Sequence, residues 1–152
     1  MSQKSYNGTQ TMYLVSTPIG NLSDFTYRAV QVLNEVDVIF SEDTRVTSNL
    51  LNHYNIKKTL LSAHKFNENL SVEKMIDYLS KGKNIALVSD RGTPLISDPG
   101  NFCVKTIVDK GYNVVAIPGA TALIPALIVS GLDSDKFIFY GFLNSKQSKR
   151  KE

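Results

Sequence analysis

Short apolar runs alternate along this chain with longer segments whose apolar residues recur at helical spacing. The helical pattern is clearest at Val72, Met75, Ile76 and Leu79, which share one face of an amphipathic helix. Similar spacing predicts four further helices, near residues 26–36, 46–54, 104–108 and 123–128. Runs too short for a helix predict five strands, at residues 12–16, 37–40, 59–63, 85–88 and 113–117.

The order of these segments predicts the fold class. Strand and helix alternate five times, which is typical of an α/β protein. Residues 85–88, IALV, are apolar at every position, as expected for a strand buried on both faces of a parallel sheet. We therefore predict a five-stranded, mostly parallel sheet with right-handed crossovers and helices on both faces.

The same pattern divides the chain into three segments. We expect residues 1–11 to be disordered, because they are polar and lack periodicity. Residues 12–134 are predicted to form the α/β domain. A sixth strand is predicted over residues 136–141, KFIFYG, and residues 135–152 are then the start of a second domain that is otherwise missing.

The longest break in the pattern follows the fourth predicted strand. Residues 89–100, SDRGTPLISDPG, contain two glycines and two prolines, so they form neither a helix nor a central strand. Composition alone favours a surface turn. The position favours a ligand site, because open α/β folds bind ligands at the carboxyl ends of their strands. Loops of this length are also commonly functional, and Leu95 and Ile96 argue against disorder.

Three more loops follow predicted strands, and parallel strands bring all four to one edge of the sheet. Their sequences are TPIGN at 17–21, SEDTR at 41–45 and PGATA at 118–122. The glycine-rich dinucleotide and P-loop signatures and the nucleophile elbow of hydrolases are absent from the sequence.

Composition and charge narrow the class of protein. Basic and acidic side chains cancel over residues 1–143, so the formal net charge of +3 comes from NSKQSKRKE at 144–152. This run is a solvated tail or a phosphate-binding segment. Cys103 is the one cysteine, so no internal disulfide can form, and no metal-ligand cluster is visible. With no signal peptide or spanning segment in the sequence, we expect a cytoplasmic protein that does not enter a membrane.

Five motifs in order, VSTPIGNLSD, SEDTR, VSDRGTPLISDPG, IPGATA and FIFYGFL, resemble the ribosomal RNA ribose 2′-O-methyltransferase family of the tetrapyrrole-methylase superfamily. The resemblance covers residues 12 to about 143. It implies methyl transfer from S-adenosylmethionine to the ribose 2′-hydroxyl of a cytidine in small-subunit ribosomal RNA. It also implies a second α/β domain and a cofactor held between the domains. Because this chain supplies only one wall of that site, we expect it to be inactive alone. We further expect a homodimer.

The resemblance also implies which residues form the site. The RNA-facing residues are Glu42, Asp43, Thr44 and Arg45, and no metal is implied. The cofactor-binding residues are Thr17, Pro18, Gly20, Gly92, Thr93, Pro94, Ile96, Ser97, Thr121 and Ala122.

Asp43 is our candidate for the catalytic group. It follows a strand at the site edge, where a carboxylate can accept the hydroxyl proton, and Arg45 beside it can hold a phosphate. Alternatively, Asp43 or Thr44 caps the next helix, and Thr121 caps the last one. Two positions depart from the family pattern: Arg91 replaces a usual alanine and Asn144 a common proline.

Two other functions remain open. A methyltransferase of the same superfamily acting on a tetrapyrrole-like small molecule has the same fold and cofactor. A half-domain that binds but does not catalyse is the second alternative.

Overall fold

The computed structural model describes residues 8–144 and 146–150. Its strands are β1 (Thr11–Val15), β2 (Val38–Ser41), β3 (Thr59–Ser62), β4 (Ile85–Val88) and β5 (Asn113–Ile117). Its helices are α1 (Tyr27–Glu35), α2 (Thr44–His53), α3 (Glu68–Ser80), α4 (Asn101–Asp109) and α5 (Leu123–Val129). Short 3-10 turns lie at Leu22–Asp24 and Gln147–Arg150. Each strand and helix predicted up to residue 131 is present.

The five strands form one parallel sheet in the order β3-β2-β4-β1-β5. All four neighbouring pairs are parallel, with Val38 and Met12 both opposite Ile85 across the two ladders of β4. This confirms the predicted α/β class and the parallel sheet. It also places β4, the most apolar strand, at the centre.

Alternate residues of β4 lie in two separate cores. Ile85 and Leu87 belong to the core on one face of the sheet, with residues of α3 and α4. Ala86 and Val88 belong to the core on the other face, with residues of α1 and α2. Successive side chains of a strand point to opposite faces, so the continuous apolar run of β4 reflects burial on both sides.

The path of the chain explains why the helices change face. From β1 through β3 the chain moves toward one edge of the sheet, and from β3 through β5 it returns. Crossovers between parallel strands keep one hand. A reversal of direction therefore moves the connecting helices to the opposite face, which is where α3 and α4 lie relative to α1 and α2.

The described residues divide into two compact units between Thr121 and Ala122. The first unit contains the whole sheet with α1 to α4. The second contains α5 and the segment that follows it, and the sixth strand expected over residues 136–141 is not formed there. A strand requires a hydrogen-bonded neighbour, and in the part of the chain described here this segment has none.

The predicted disordered terminus is too long by at least one residue, because Thr11 already belongs to β1. Residues 1–7 of that prediction lie outside the described residues. The assignment of residues 135–152 to the start of another domain stays a prediction. Among the described residues, no helix has the length and hydropathy to cross a membrane.

Candidate active site

The strand order places four loops side by side at the carboxyl edge of the sheet. The strands β2, β4, β1 and β5 are consecutive neighbours, so the loops that follow them are neighbours too. These are the four loops that the sequence predicted to converge. The edge is therefore continuous from Glu42, after β2, to Gly119, after β5.

The loops after β1 and β4 are joined by their backbones. The Thr17 N–H donates to the Gly92 carbonyl (2.9 Å), and the Gly92 N–H donates to the Thr17 carbonyl (3.0 Å). Side chains strengthen the junction: the Thr17 hydroxyl donates to the Ser89 carbonyl (3.1 Å), and the Ser89 hydroxyl to the Gly92 carbonyl (3.0 Å). Because these donors and acceptors are paired within the protein, the two loops form one surface.

Thr93 attaches the loop after β5 to this surface. Its hydroxyl accepts from the Ser16 hydroxyl (3.1 Å) and donates to the Ala120 carbonyl (3.2 Å). Gly119 lies so near Ser16 that a methyl group added at Gly119 would be 2.8 Å from the Ser16 Cβ. Three of the predicted loops are thus fixed to each other by contacts within the protein.

The loop after β4 turns back on itself through left-handed backbone conformations. Leu95 has φ 73° and Ser97 has φ 63°, and neither is glycine. Such residues cost about 1–2 kcal/mol each, and they concentrate at functional sites. The Leu95 side chain packs on the core beside α3 and α4, whereas Ile96 and Ser97 are exposed. The packing of the partly buried Leu95 therefore offsets the strain, and the next two residues face solvent.

Gly92 has a structural role that the sequence did not show. The resemblance implied only that Gly92 binds the cofactor. Its φ is +84°, and an added Cβ would lie 3.3 Å from the Ile19 Cγ2. Gly92 is buried, so its conformation is required by the junction with Thr17, whatever ligand is bound.

At the end of β2, Asp43 is held by Arg45. Its Oδ2 lies 2.6 Å from the Arg45 guanidinium, and its Oδ1 accepts from the Arg45 backbone N–H (2.8 Å). The hydrogen bonds from Arg45 lower the pKa of the Asp43 carboxyl from 3.8 to about 2. Asp43 is also the N-cap of α2, which confirms the alternative prediction that it caps this helix. The Arg45 side chain is 88% exposed.

Glu42 lies beside Asp43 but in a different environment. Burial is the main cause that raises the pKa of Glu42 above 4.5, and the nearby carboxylates of Asp90 and Asp98 add to it. Burial likewise raises the pKa of Asp98, and the nearby Ser89 hydroxyl opposes this effect. In the part of the chain that the structure describes, no hydrogen bond engages the Glu42 carboxylate.

Two of these acidic residues, Asp90 and Asp98, were not predicted from the sequence to belong to the site. Asp90 Oδ1 accepts from the Asp43 N–H (3.0 Å), which connects the loops after β2 and β4. Neither Asp90 nor Asp98 is among the site residues predicted from the sequence. The available signal was position, because both lie in the loop at the end of the central strand. Among the described residues, no three His, Cys, Asp or Glu side chains are placed to hold a metal ion.

A cleft of about 560 Å³ opens between the loop after β1 and helix α2. Thr17, Pro18 and Gly20 line one side, and Asn49 lines the side formed by α2. Arg91 borders the cleft with an exposed side chain, so this unusual residue lies at the rim.

The remaining predicted residues lie in separate places. Pro94 is buried, Thr44 is the first residue of α2, and Thr121 and Ala122 stand at the division between the two units. The alternative role of Thr121 as an N-cap is wrong, because Ala122 occupies the N-cap of α5 and makes no side-chain cap hydrogen bond.

Relatives of known description match nearly all of this chain. The ribosomal RNA small subunit methyltransferase I of Bacillus subtilis is 52% identical over 99% of this chain and 53% of its own length. The protein of the same name from Escherichia coli O157:H7 is 47% identical over 99% of this chain and 52% of its own. The chain spans about half the length of the curated relatives it matches.

Solved structures share the fold. Uroporphyrin-III-C-methyltransferase from Thermus thermophilus superposes with a TM-score of 0.62 at 21% identity, covering 82% of this chain and 54% of that one. The family model described as tetrapyrrole (corrin/porphyrin) methylases matches residues 11–150. Methylases act with a methyl donor, and this match covers the sheet and all four loops of the site edge. The chain belongs to the tetrapyrrole (corrin/porphyrin) methylase family.

Proposed function

We propose that this chain is the first domain of an enzyme that methylates the ribose 2′-hydroxyl of a cytidine in small-subunit ribosomal RNA. The main support for this proposal is about 50% sequence identity, over nearly the whole chain, to proteins named ribosomal RNA small subunit methyltransferase I. The tetrapyrrole alternative has weaker support, because the likeness to uroporphyrin methyltransferases is 21% identical and extends to the fold alone.

We propose S-adenosylmethionine as the methyl donor, which supplies a methyl group already activated by its sulfonium. The junction of Thr17, Gly92 and Thr93 supports this proposal, because it preforms a surface at the carboxyl edge of a parallel sheet. Exposed Ile96 and Ser97 beyond the junction are available for contact. The residues proposed to hold the donor are Thr17, Pro18, Gly20, Gly92, Thr93, Pro94, Ile96, Ser97, Thr121 and Ala122.

We propose that the loop after β2 faces the RNA. Arg45 is exposed, and its hydrogen bonds to Asp43 raise the pKa of the guanidinium, so it remains a cation for a phosphate. Thr44 lies beside it at the start of α2. One carboxylate of the pair Glu42 and Asp43 accepts the proton of the ribose hydroxyl. Asp43 stays the prediction made from the sequence, although its pairing with Arg45 weakens it as a base.

A methylation assay tests the proposed function. The full-length protein should transfer a labelled methyl group from S-adenosylmethionine to isolated small ribosomal subunits, with the product mapped to a ribose 2′-oxygen. A corrin precursor serves as the competing acceptor. Transfer to the corrin and not to the RNA would refute the proposed substrate.

The 152-residue chain should be inactive by itself, because a ligand site in a cleft buries its ligand only when both walls are present. If the second domain supplies half of a micromolar affinity, about 4 kcal/mol is lost and the dissociation constant becomes about millimolar. Calorimetric titration of the chain with S-adenosylmethionine should then show no saturation at micromolar ligand. Micromolar binding with turnover would contradict the two-domain proposal.

We further propose a cytoplasmic homodimer. Large apolar side chains are exposed in residues 122–152, with Ile138, Tyr140 and Phe142 each more than 85% exposed, and exposed apolar patches of this kind favour association. Sedimentation velocity of the full-length protein at several concentrations tests the dimer, and a monomer at all of them would exclude it.

A further inference from the structure

Four carboxylates stand at the carboxyl edge, and the structure distinguishes them by what already binds them. Asp43 accepts three hydrogen bonds from Arg45, two from the guanidinium and one from the backbone. Asp90 accepts from the Asp43 N–H, whereas the Ser89 hydroxyl near Asp98 donates its proton to the Gly92 carbonyl. For Glu42, the described residues provide no hydrogen-bond donor. Its carboxylate thus has its lone pairs free, unlike those of Asp43 and Asp90.

The position of Glu42 also favours a role in chemistry. It directly follows β2, whose last residue Ser41 is opposite Val88 of the central strand β4. Glu42 therefore lies beside the start of the loop after β4 (the β4 loop), which carries Gly92 and Thr93. Helix α2 begins two residues later, so rigid elements on both sides fix the backbone of Glu42. A partly buried carboxylate on such a support can be held in one geometry.

We propose that Glu42, rather than Asp43, is the general base that accepts the proton of the acceptor hydroxyl. The inference rests on the proposed function. As the hydroxyl oxygen forms its bond to the methyl carbon, the carbon–sulfur bond breaks and its electron pair stays on sulfur. The hydroxyl proton passes to Glu42 Oε, so the charge of the sulfonium and that of the carboxylate are both removed.

The charged groups around Glu42 support this assignment. Asp90 and Asp98 in the β4 loop and the adjacent Asp43 all disfavour its ionised form, and His64 after β3 opposes them. A base works best when its pKa is near the working pH. Asp43, with a pKa of about 2, binds a proton far more weakly than Glu42.

Isosteric variants of the two neighbours test the proposal in the full-length protein. We expect Glu42→Gln to lower kcat by about 10²–10⁴-fold, the usual contribution of a general base, with little change in the KM for S-adenosylmethionine. The matched control Asp43→Asn should lower kcat by less than about tenfold. Circular dichroism and urea unfolding verify that both variants fold.

The pH profile separates a base from a residue that only shapes the site. The unmodified protein and Asp43→Asn should both lose kcat/KM on acidification with a midpoint above 4.5, the ordinary pKa of a glutamate. In Glu42→Gln this acidic limb should be absent. A full limb in Glu42→Gln, or a larger loss of kcat in Asp43→Asn, would overturn the proposal.

A measurement without turnover keeps this inference separate from the proposed function. Carboxyl ¹³C NMR of the 152-residue chain should show Glu42 titrating at higher pH than Asp43. Titration of Glu42 below Asp43 would refute the assignment even if the RNA is methylated. Failure of the unmodified protein to methylate RNA, with the NMR order as expected, would instead refute the proposed substrate.

Discussion

The junction of three loops makes one substitution especially informative, namely Gly119→Ala. The backbone of Gly119 is not in the left-handed region, so the effect of an added methyl group is purely steric. That methyl would lie 2.8 Å from the Ser16 Cβ and 3.5 Å from the Ser16 carbonyl oxygen. The first distance is too short for two carbon atoms, and a Cβ cannot move without its backbone.

The size of the effect follows from overpacking. Extra methyl groups in well-packed regions typically cost about 1–3 kcal/mol, because the backbone must shift. The shift here would separate β5 from the end of β1 and stretch the hydrogen bonds of Thr93 to Ser16 and Ala120. We therefore expect Gly119→Ala to lower the free energy of unfolding by about 1–3 kcal/mol.

A double-mutant cycle identifies the cause. Ser16→Gly removes the colliding Cβ, so Gly119→Ala should cost little in that background. Urea unfolding of the four proteins should give a favourable coupling of about 1 kcal/mol or more between the two substitutions. A destabilisation below about 0.5 kcal/mol in Gly119→Ala, or no coupling with Ser16→Gly, would refute the close approach of these loops.

Three further outcomes are expected. Gly92→Ala should lower the free energy of unfolding by about 1–2 kcal/mol because its backbone is left-handed, and an unchanged urea midpoint would contradict this. The pKa of Asp43 is lowered in the folded protein, so its stabilisation is present above pH 3.8 and lost as the pH falls through about 2. The urea midpoints of the unmodified protein and Asp43→Asn should differ at pH 7 and converge near pH 2; a constant difference would exclude the ion pair as its source. Cys103 is buried, and burial raises the pKa of its thiol to about 11, so a disulfide reagent at pH 8 should modify it only as the protein unfolds. Rapid modification of the native protein would show that the thiol is accessible.

The sequence by itself determined the strands and helices and the edge of the sheet at which the loops converge. An apolar run such as Ile85–Val88 predicts a doubly buried strand because local patterning is set by burial, and the alternation of strands with helices leaves little choice but a parallel sheet. The convergence of four loops followed without any knowledge of strand order. The sixth strand was wrong because residues 136–141 have strand composition but no described partner strand, and pairing is not a local property.

For the candidate site as well, the sequence determined some features and the tertiary structure determined others. The sequence placed Glu42 and Asp43 at the edge and favoured Asp43 as the catalytic group, because it follows a strand and has Arg45 beside it. Only the tertiary structure brings Asp90 and Asp98 near Glu42, while Asp43 is engaged by Arg45. The charge state of a carboxylate depends on burial and on neighbours in space, most of which come from other loops.

Backbone geometry was likewise decided by packing. The resemblance placed Gly92 among the cofactor-binding residues, whereas the folded protein uses its positive φ to pair with Thr17. The left-handed conformation of Leu95, which is not a glycine, had no signal in the sequence. It is maintained because the partly buried side chain packs against a core built from distant strands and helices. Local sequence thus specified where a loop occurs, and long-range contacts specified its shape.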